Sequence, residues 1–299
     1  SQNEKDFNNL LDVYLDAVFF PNIDELDFLQ EGHRVEFEEK TDSSTDLTYK
    51  GVVFNEMKGA MSSPTSTLWQ TFTENLYDTV TYHYNSGGEP EDIPSLTWDE
   101  LKEFHSKHYH PSNATFFTYG SLPVEAHQAT INARVLSRFE HLDMDISVGN
   151  EVRWTEPKVV ESSYALDEDD IAKKTHIVVG WLLGESQDLS NVLRMQLWSS
   201  VLLDNSSSPL LKALETTGLG SAPSPLLGLE ESNKEMCFVA GVEGSEPEQA
   251  EAVEKLIIDV LEEIAQNGVE PERVESVLDQ MELSQREITG DQYPFGLQL

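Results

Sequence analysis

The stretch EMCFVAGVEGSEPEQAEAVEKLIIDVLEEIAQ, residues 235–266, decides the fold class. It opens on an apolar run, EMCFVAGVEG, with the length and composition of a strand. It then passes Gly244 and Pro247 into a helical pattern that Asn267 and Gly268 close. The same order stands earlier in the chain. NATFFTYG, residues 113–120, is expected as a strand ending at Gly120, and PVEAHQATINARVLSRFEHL, residues 123–142, as a long amphipathic helix opened by a proline. A strand ending in glycine before a helix starting at proline, in both halves, points to an internal duplication.

Outward from 235–266, KVVESSYALD (158–167) and THIVVGWLLG (175–184) are expected as strands with the acidic DEDDIAKK between them. Helices are expected at 188–203, at 208–217 closed by Gly218, and at 271–287. In the first half, Phe7, Leu10, Leu11, Tyr14, Ala17 and Val18 fall at helical spacing and Pro21 follows where that helix should stop. A short helix passing at Gly32 into an extended RVEFE comes next, then a polar turn, TDSSTD. Helices follow from Val52 to about Ala60 and over STLWQTFTENLY, and NSGGEPED is a loop. Thr97 and Glu100 form a capping box, so a helix runs from Trp98 to about Tyr109, with Pro111 beyond its end. Between Asp143 and Pro157 the periodicity lapses, which marks a linker. Strands mixed with paired helices on both sides of it predict two α+β domains.

The totals bound what such domains can do. The 299 residues suffice for two domains at roughly 100–200 residues each. With 55 Asp and Glu against 19 Lys and Arg, the formal net charge is -36, which repels nucleic-acid phosphates and attracts cationic partners. Most of that excess reads as a solvated face or an adaptation to salt. The single cysteine, Cys237, excludes an intramolecular disulfide framework and is expected as a buried, inert thiol in a reducing compartment. No apolar run approaches the ~20 residues of a membrane-spanning helix, so no membrane partner is expected. The opening SQNEKDFNNLL and the closing FGLQL resemble neither a signal peptide nor a solvated tail; an interior piece of a longer protein is expected.

One carboxylate stands apart. In GVVFNEMKGA, residues 51–60, the same-face helical neighbours of Glu56 are Val52, Val53, Gly59 and Ala60. On so small and apolar a face a carboxylate either reaches water at the edge, the commoner outcome, or is held by a cation or metal, because an unpaired buried charge is strongly unfavourable. Gly59, inside the helix, signals the close approach of another element.

The runs LLDVYLDAVFFP, FLQEGHRVEFE, YKGVVFNEMKGA, LTWDELKEFHSKHYHPSNATFFTYG and SPLLKALETTGLG resemble the presequence protease branch of the pitrilysin-type zinc metallopeptidases, in order and along nearly the whole chain. The resemblance implies two pitrilysin-type domains, each a mixed, largely antiparallel sheet packed with helices, both incomplete. Residues 1–150 would be the C-terminal part of the first, catalytic-type domain, 151–172 the linker and first strand of the second, and 173–299 the rest of an incomplete second domain. In that family two His of an H-x-x-E-H helix and a Glu from a later helix hold zinc, and the Glu between the two His is the general base. Glu56 matches the later Glu. No H-x-x-E-H occurs in residues 1–299; the nearest string, SRFEH at 137–141, has Ser137 where the first His should be. In the family the motif lies upstream of the helix matched by residues 6–20. The chain thus holds one metal ligand, Glu56, with no catalytic residue assigned, and is expected to be inactive alone, since three protein ligands are needed.

The resemblance further implies a zinc metalloendopeptidase cutting unstructured, cationic peptides such as cleaved presequences. Its partners would be the remaining N- and C-terminal parts of the same protein, with no nucleic acid, and its place a mitochondrial matrix or plastid, although no targeting segment is present. The rival is a non-catalytic structural or substrate-holding relative. A third reading, a metal-binding module on His105, His108 and His110, is disfavoured because His110 lies outside the helix and no carboxylate ligand accompanies the three.

Overall fold

The computed structural model describes residues 3–166 and 170–287. In chain order the elements are α1 (Glu4–Phe19), α2 (Glu25–Asp27) winding on into a π turn over Phe28–Gly32, β1 (Arg34–Phe37), β2 (Leu47–Lys50), α3 (Val52–Ala60) and α4 (Pro64–Leu76). After them come α5 (Trp98–His108), α6 (Val124–Arg134), β3 (Thr175–Glu185), α7 (Leu189–Leu203), α8 (Pro209–Thr216), β4 (Ala222–Pro223), β5 (Gly228–Glu230), β6 (Glu235–Ser245), α9 (Ala250–Asn267) and α10 (Pro271–Arg286). They form two compact units. Within the described residues the first comprises 3–59 and 87–147, and the second Ala60–Ser86 with 148–287. This is a mixed helix and sheet fold, and every strand pairing among the described residues is antiparallel.

In the first unit, α1 starts where the Asn3 side chain accepts the Asp6 amide at 3.2 Å. Leu15 and Phe19 on α1 close a small core with Ile131 of α6 and Val135 just after it. The capping box on α5 is present in both directions, the Thr97 hydroxyl accepting from the Glu100 amide and the Glu100 carboxylate from the Thr97 amide at 2.8 Å. α6 is shorter than the sequence pattern indicates. Val135 leaves the helical region (φ -122°, ψ -68°) with its side chain fully buried, and residues 136–138 tighten into a 3-10 turn. The hairpin of β1 and β2, in register Arg34↔Lys50 to Phe37↔Leu47, leads directly into α3. The expected strand at 113–120 joins no ladder among the described residues: Asn113 ends a 3-10 turn, though Ala114 is extended and Phe116 packs its ring 5.8 Å from Phe19. Composition favours an extended chain, but only a paired backbone makes a strand. The same holds for 158–166; Asp167, the last residue of that expected strand, lies outside the described residues.

In the second unit β6 is the central strand. It pairs with β3 on one edge, Ile177↔Val242 through Leu182↔Cys237, and with β4 and β5 on the other. Its side chains alternate between two covered faces. Phe238, Ala240 and Val242 meet Leu202, Leu210, Leu214, Val253 and Ile257 from α7, α8 and α9. Cys237 and Val239 meet Leu76 and Tyr77 at the end of α4. Burial on both faces explains why 235–242 is an unbroken apolar run after its first residue. Gly268, at φ 73°, ends α9.

Candidate functional site

Glu56 lies on α3, which begins where the Gly51 carbonyl accepts the Asn55 amide at 3.0 Å. The helix buries none of its own residues. Val52 and Val53 are exposed, while Phe54 and Met57 are half-buried, the Phe54 ring 6.0 Å from that of Tyr49. The Glu56 side chain is exposed and makes no hydrogen bond or ion pair with any described residue. Its carboxylate therefore takes the solvated edge and is free to accept a ligand. The expectation for Gly59 is corrected on its Cβ side, where an added Cβ would meet nothing within 4 Å among the described residues.

Among the described residues no group of three His, Cys, Asp or Glu side chains could hold a metal ion. Glu56 by itself is one hard carboxylate, a donor type that zinc accepts, and a single such donor does not make a zinc site. The histidines of α5 and its end are occupied otherwise. His105 shares a hydrogen bond with the Val18 carbonyl at 2.9 Å and stacks on Tyr109 at 4.8 Å. His108 lies against Phe104, and His110 accepts the Ser112 amide at 3.1 Å through Nδ1. These are packing and capping roles.

A buried polar cluster in the second unit went unseen in the sequence. Glu235 heads β6 with its side chain only 4% exposed, and Arg153, half exposed, forms an ion pair with it through Nη2. The Glu151 amide donates to Glu235 Oε2 at 2.6 Å, and the Tyr77 hydroxyl donates to the Glu235 carbonyl at 2.8 Å. The Glu151 carboxylate, itself buried, accepts from the Thr79 amide at 2.9 Å, the Thr79 hydroxyl at 2.8 Å and the Val152 amide at 2.8 Å. Burial by itself would raise the Glu235 carboxyl, but the Arg153 hydrogen bond, the Glu151 amide and the positive charges of Arg153 and Lys234 hold it below the ordinary carboxylate value. Beside this cluster, burial pushes the Cys237 thiol up to about 12, which keeps it protonated at neutral pH. The one signal in the sequence was a charged residue at the head of an otherwise apolar strand. The matched donors and acceptors make this cluster a clamp that pins 151–153 to β6 and to 77–79.

A family described as "Peptidase M16 inactive domain" matches residues 95–281. The chain is 44% identical over 288 residues to a mitochondrial presequence protease of Xenopus laevis, covering 96% of this chain and 28% of that protein. It is 36% identical to the protein HypA of Clostridium perfringens, over 99% of this chain and 30% of that one. It is 39% identical to the chloroplastic and mitochondrial presequence protease 1 of Arabidopsis thaliana, over 100% of this chain and 28% of that protein. This chain thus spans less than a third of the length of these curated relatives. Among solved structures, a protease from Helicobacter pylori superposes with a TM-score of 0.66 at 19% identity, covering 96% of this chain and 64% of that one; at that identity the likeness shows the fold.

Proposed function

Because the chain belongs to the M16 peptidase family, matched over residues 95–281, we propose that it is part of a zinc metalloendopeptidase that degrades unstructured peptides such as cleaved presequences. The observation that carries this reading is the 44% identity to a presequence protease along 96% of the chain. In it, Glu56 is one zinc ligand of the full-length protein, and the other ligands come from outside residues 1–299, where no H-x-x-E-H stands. The family's metal, when bound, supplies the activated water. On this reading Glu56 is the residue of the chain assigned to that step, and its exposed carboxylate, unpaired among the described residues, is available as a ligand. The chain by itself is inactive on this reading, for want of two ligands, and its partners are the other parts of the same protein. The compartments named for the vertebrate and plant relatives support a mitochondrial matrix or plastid, while the Clostridium relative extends the same kind of chain to a bacterium.

Part of the net charge of -36 would give this substrate class a physical basis. Targeting presequences are rich in Arg and poor in acidic residues, and a negative field raises their local concentration. Turnover of a cationic peptide by the full-length protein is expected to fall more steeply with added salt than turnover of a neutral peptide of equal length, because screening shortens to about 8 Å at physiological ionic strength. Equal responses would remove electrostatic steering from the account.

One observation favours a second reading, a non-catalytic structural or substrate-holding relative. The matching family description is that of an inactive domain, and its match begins at residue 95, beyond Glu56. Zinc binding by the full-length protein separates the two readings. Stoichiometric zinc lost on substitution of Glu56 supports the peptidase, and a full-length protein that binds no zinc supports the scaffold.

A further inference from the structure

We infer that Gly51 is a positioning residue: the close backbone crossing it makes with Gly32 sets where α3 presents Glu56. The inference rests on the reading of Glu56 as a metal ligand. α3 buries none of its own residues, so no core fixes its place. Gly51, one residue before it, is buried. It follows the last rung of the hairpin, Arg34↔Lys50, so it faces the Gly32–His33 backbone. A Cβ built on Gly51 would overlap the Gly32 carbonyl oxygen and lie 2.7 Å from the Gly32 carbonyl carbon and 2.8 Å from His33 Cα. These are backbone atoms, which cannot swing aside as the end of a long side chain can.

The facing segment is also held in place. His33 Nε2 shares a hydrogen bond with the Leu96 carbonyl at 2.8 Å, and the His33 ring meets the edge of Phe28 at 5.3 Å. Arg34 Nη1 donates to the Leu29 and Gln30 carbonyls, both at 3.3 Å. Any relief must therefore come from the α3 side, where the Gly51 carbonyl accepts the first helical hydrogen bond, from Asn55. Glu56 lies five residues on, roughly 7 Å along the axis, so a tilt at Gly51 is carried to its carboxylate. A second, softer seat is Gly87, whose Cα side is covered by the Met57 thioether. Met57 can yield there, so it does less to fix the helix.

The crossing is asymmetric, and the asymmetry supplies controls. Among the described residues, a Cβ on Gly32 would meet only the Phe28 ring, at 3.5 Å, an ordinary contact, and one on Gly59 would meet nothing within 4 Å. In the full-length protein, Gly51→Ala, Gly32→Ala, Gly59→Ala and Glu56→Gln are compared by two measurements: zinc affinity in competition with a chelator, and amide hydrogen exchange in α3 and α5. Gly51→Ala is expected to speed exchange at Asn55 to Ala60, leave α5 protected, and weaken zinc binding about 10- to 100-fold, the range seen when a residue supporting a metal ligand is lost. Gly32→Ala and Gly59→Ala should bind zinc as the wild type does. The inference is overturned if Gly51→Ala leaves α3 exchange and zinc affinity unchanged. Loss of protection across α5 as well also overturns it, since the crossing would then hold the unit and not the helix. If Glu56→Gln binds zinc normally while Gly51→Ala still loosens α3, the ligand assignment fails and the crossing stands.

Discussion

Replacing Arg153 with alanine is expected to destabilise the second unit by about 2–4 kcal/mol at neutral pH. Glu235 would be left almost fully buried with its charge answered by little more than the Glu151 amide. Removing one partner of a fully buried pair costs roughly 3–5 kcal/mol, and the lower range applies because half of the Arg153 side chain already meets water. For a unit of this size the loss corresponds to a fall in Tm of about 5–15 °C, readable by calorimetry. The pH dependence has a definite sign. The folded-state pKa of Glu235 is lowered, so its contribution to stability is fully present above the ordinary carboxylate value and is lost as pH falls through the folded one. The gap between wild type and Arg153→Ala should therefore narrow on acidification. A variant within about 0.5 kcal/mol of wild type at pH 7 would show that the clamp does not stabilise the unit.

The clamp and the crossing at Gly51 share a reason for being hard to read in a sequence. Arg153 and Glu235 are joined across 82 positions, and Thr79 and Glu151 across 72. No periodicity links such pairs. Gly51 looks like any glycine before a helix until the backbone facing it is known. What could be read was local or doubly determined. Thr97 and Glu100 announce the start of α5 because a capping box closes within one turn. β6 is legible because both of its faces are buried, so nothing interrupts its apolar run. Residues 114–119 show the converse, since their strand-like composition states a preference that only a pairing partner can realise. β4 and β5, with two and three residues, are too short to carry a pattern of their own. α6 stops at Arg134 because Val135 turns into the core, a tertiary demand that helical spacing does not record.

Glu56 was legible as an oddity, a lone carboxylate on an apolar helix, and the family resemblance gave it a role. The structure adds that it is exposed, and unpaired among the described residues, on a helix without a core of its own. Because Glu56 makes no hydrogen bond or ion pair with a described residue, its loss should leave the fold as it was, within about 0.5 kcal/mol. Any effect on metal or turnover can then be ascribed to the carboxylate itself.

The most direct measurement is the zinc affinity of full-length Glu56→Gln, taken with its kcat/KM on an unstructured cationic peptide. Loss of a metal ligand should exceed the ~10- to 100-fold effects of supporting residues, so affinity should fall about 100-fold or more and turnover with it, at an unchanged Tm. A folded Glu56→Gln protein with wild-type zinc content and turnover would contradict the account.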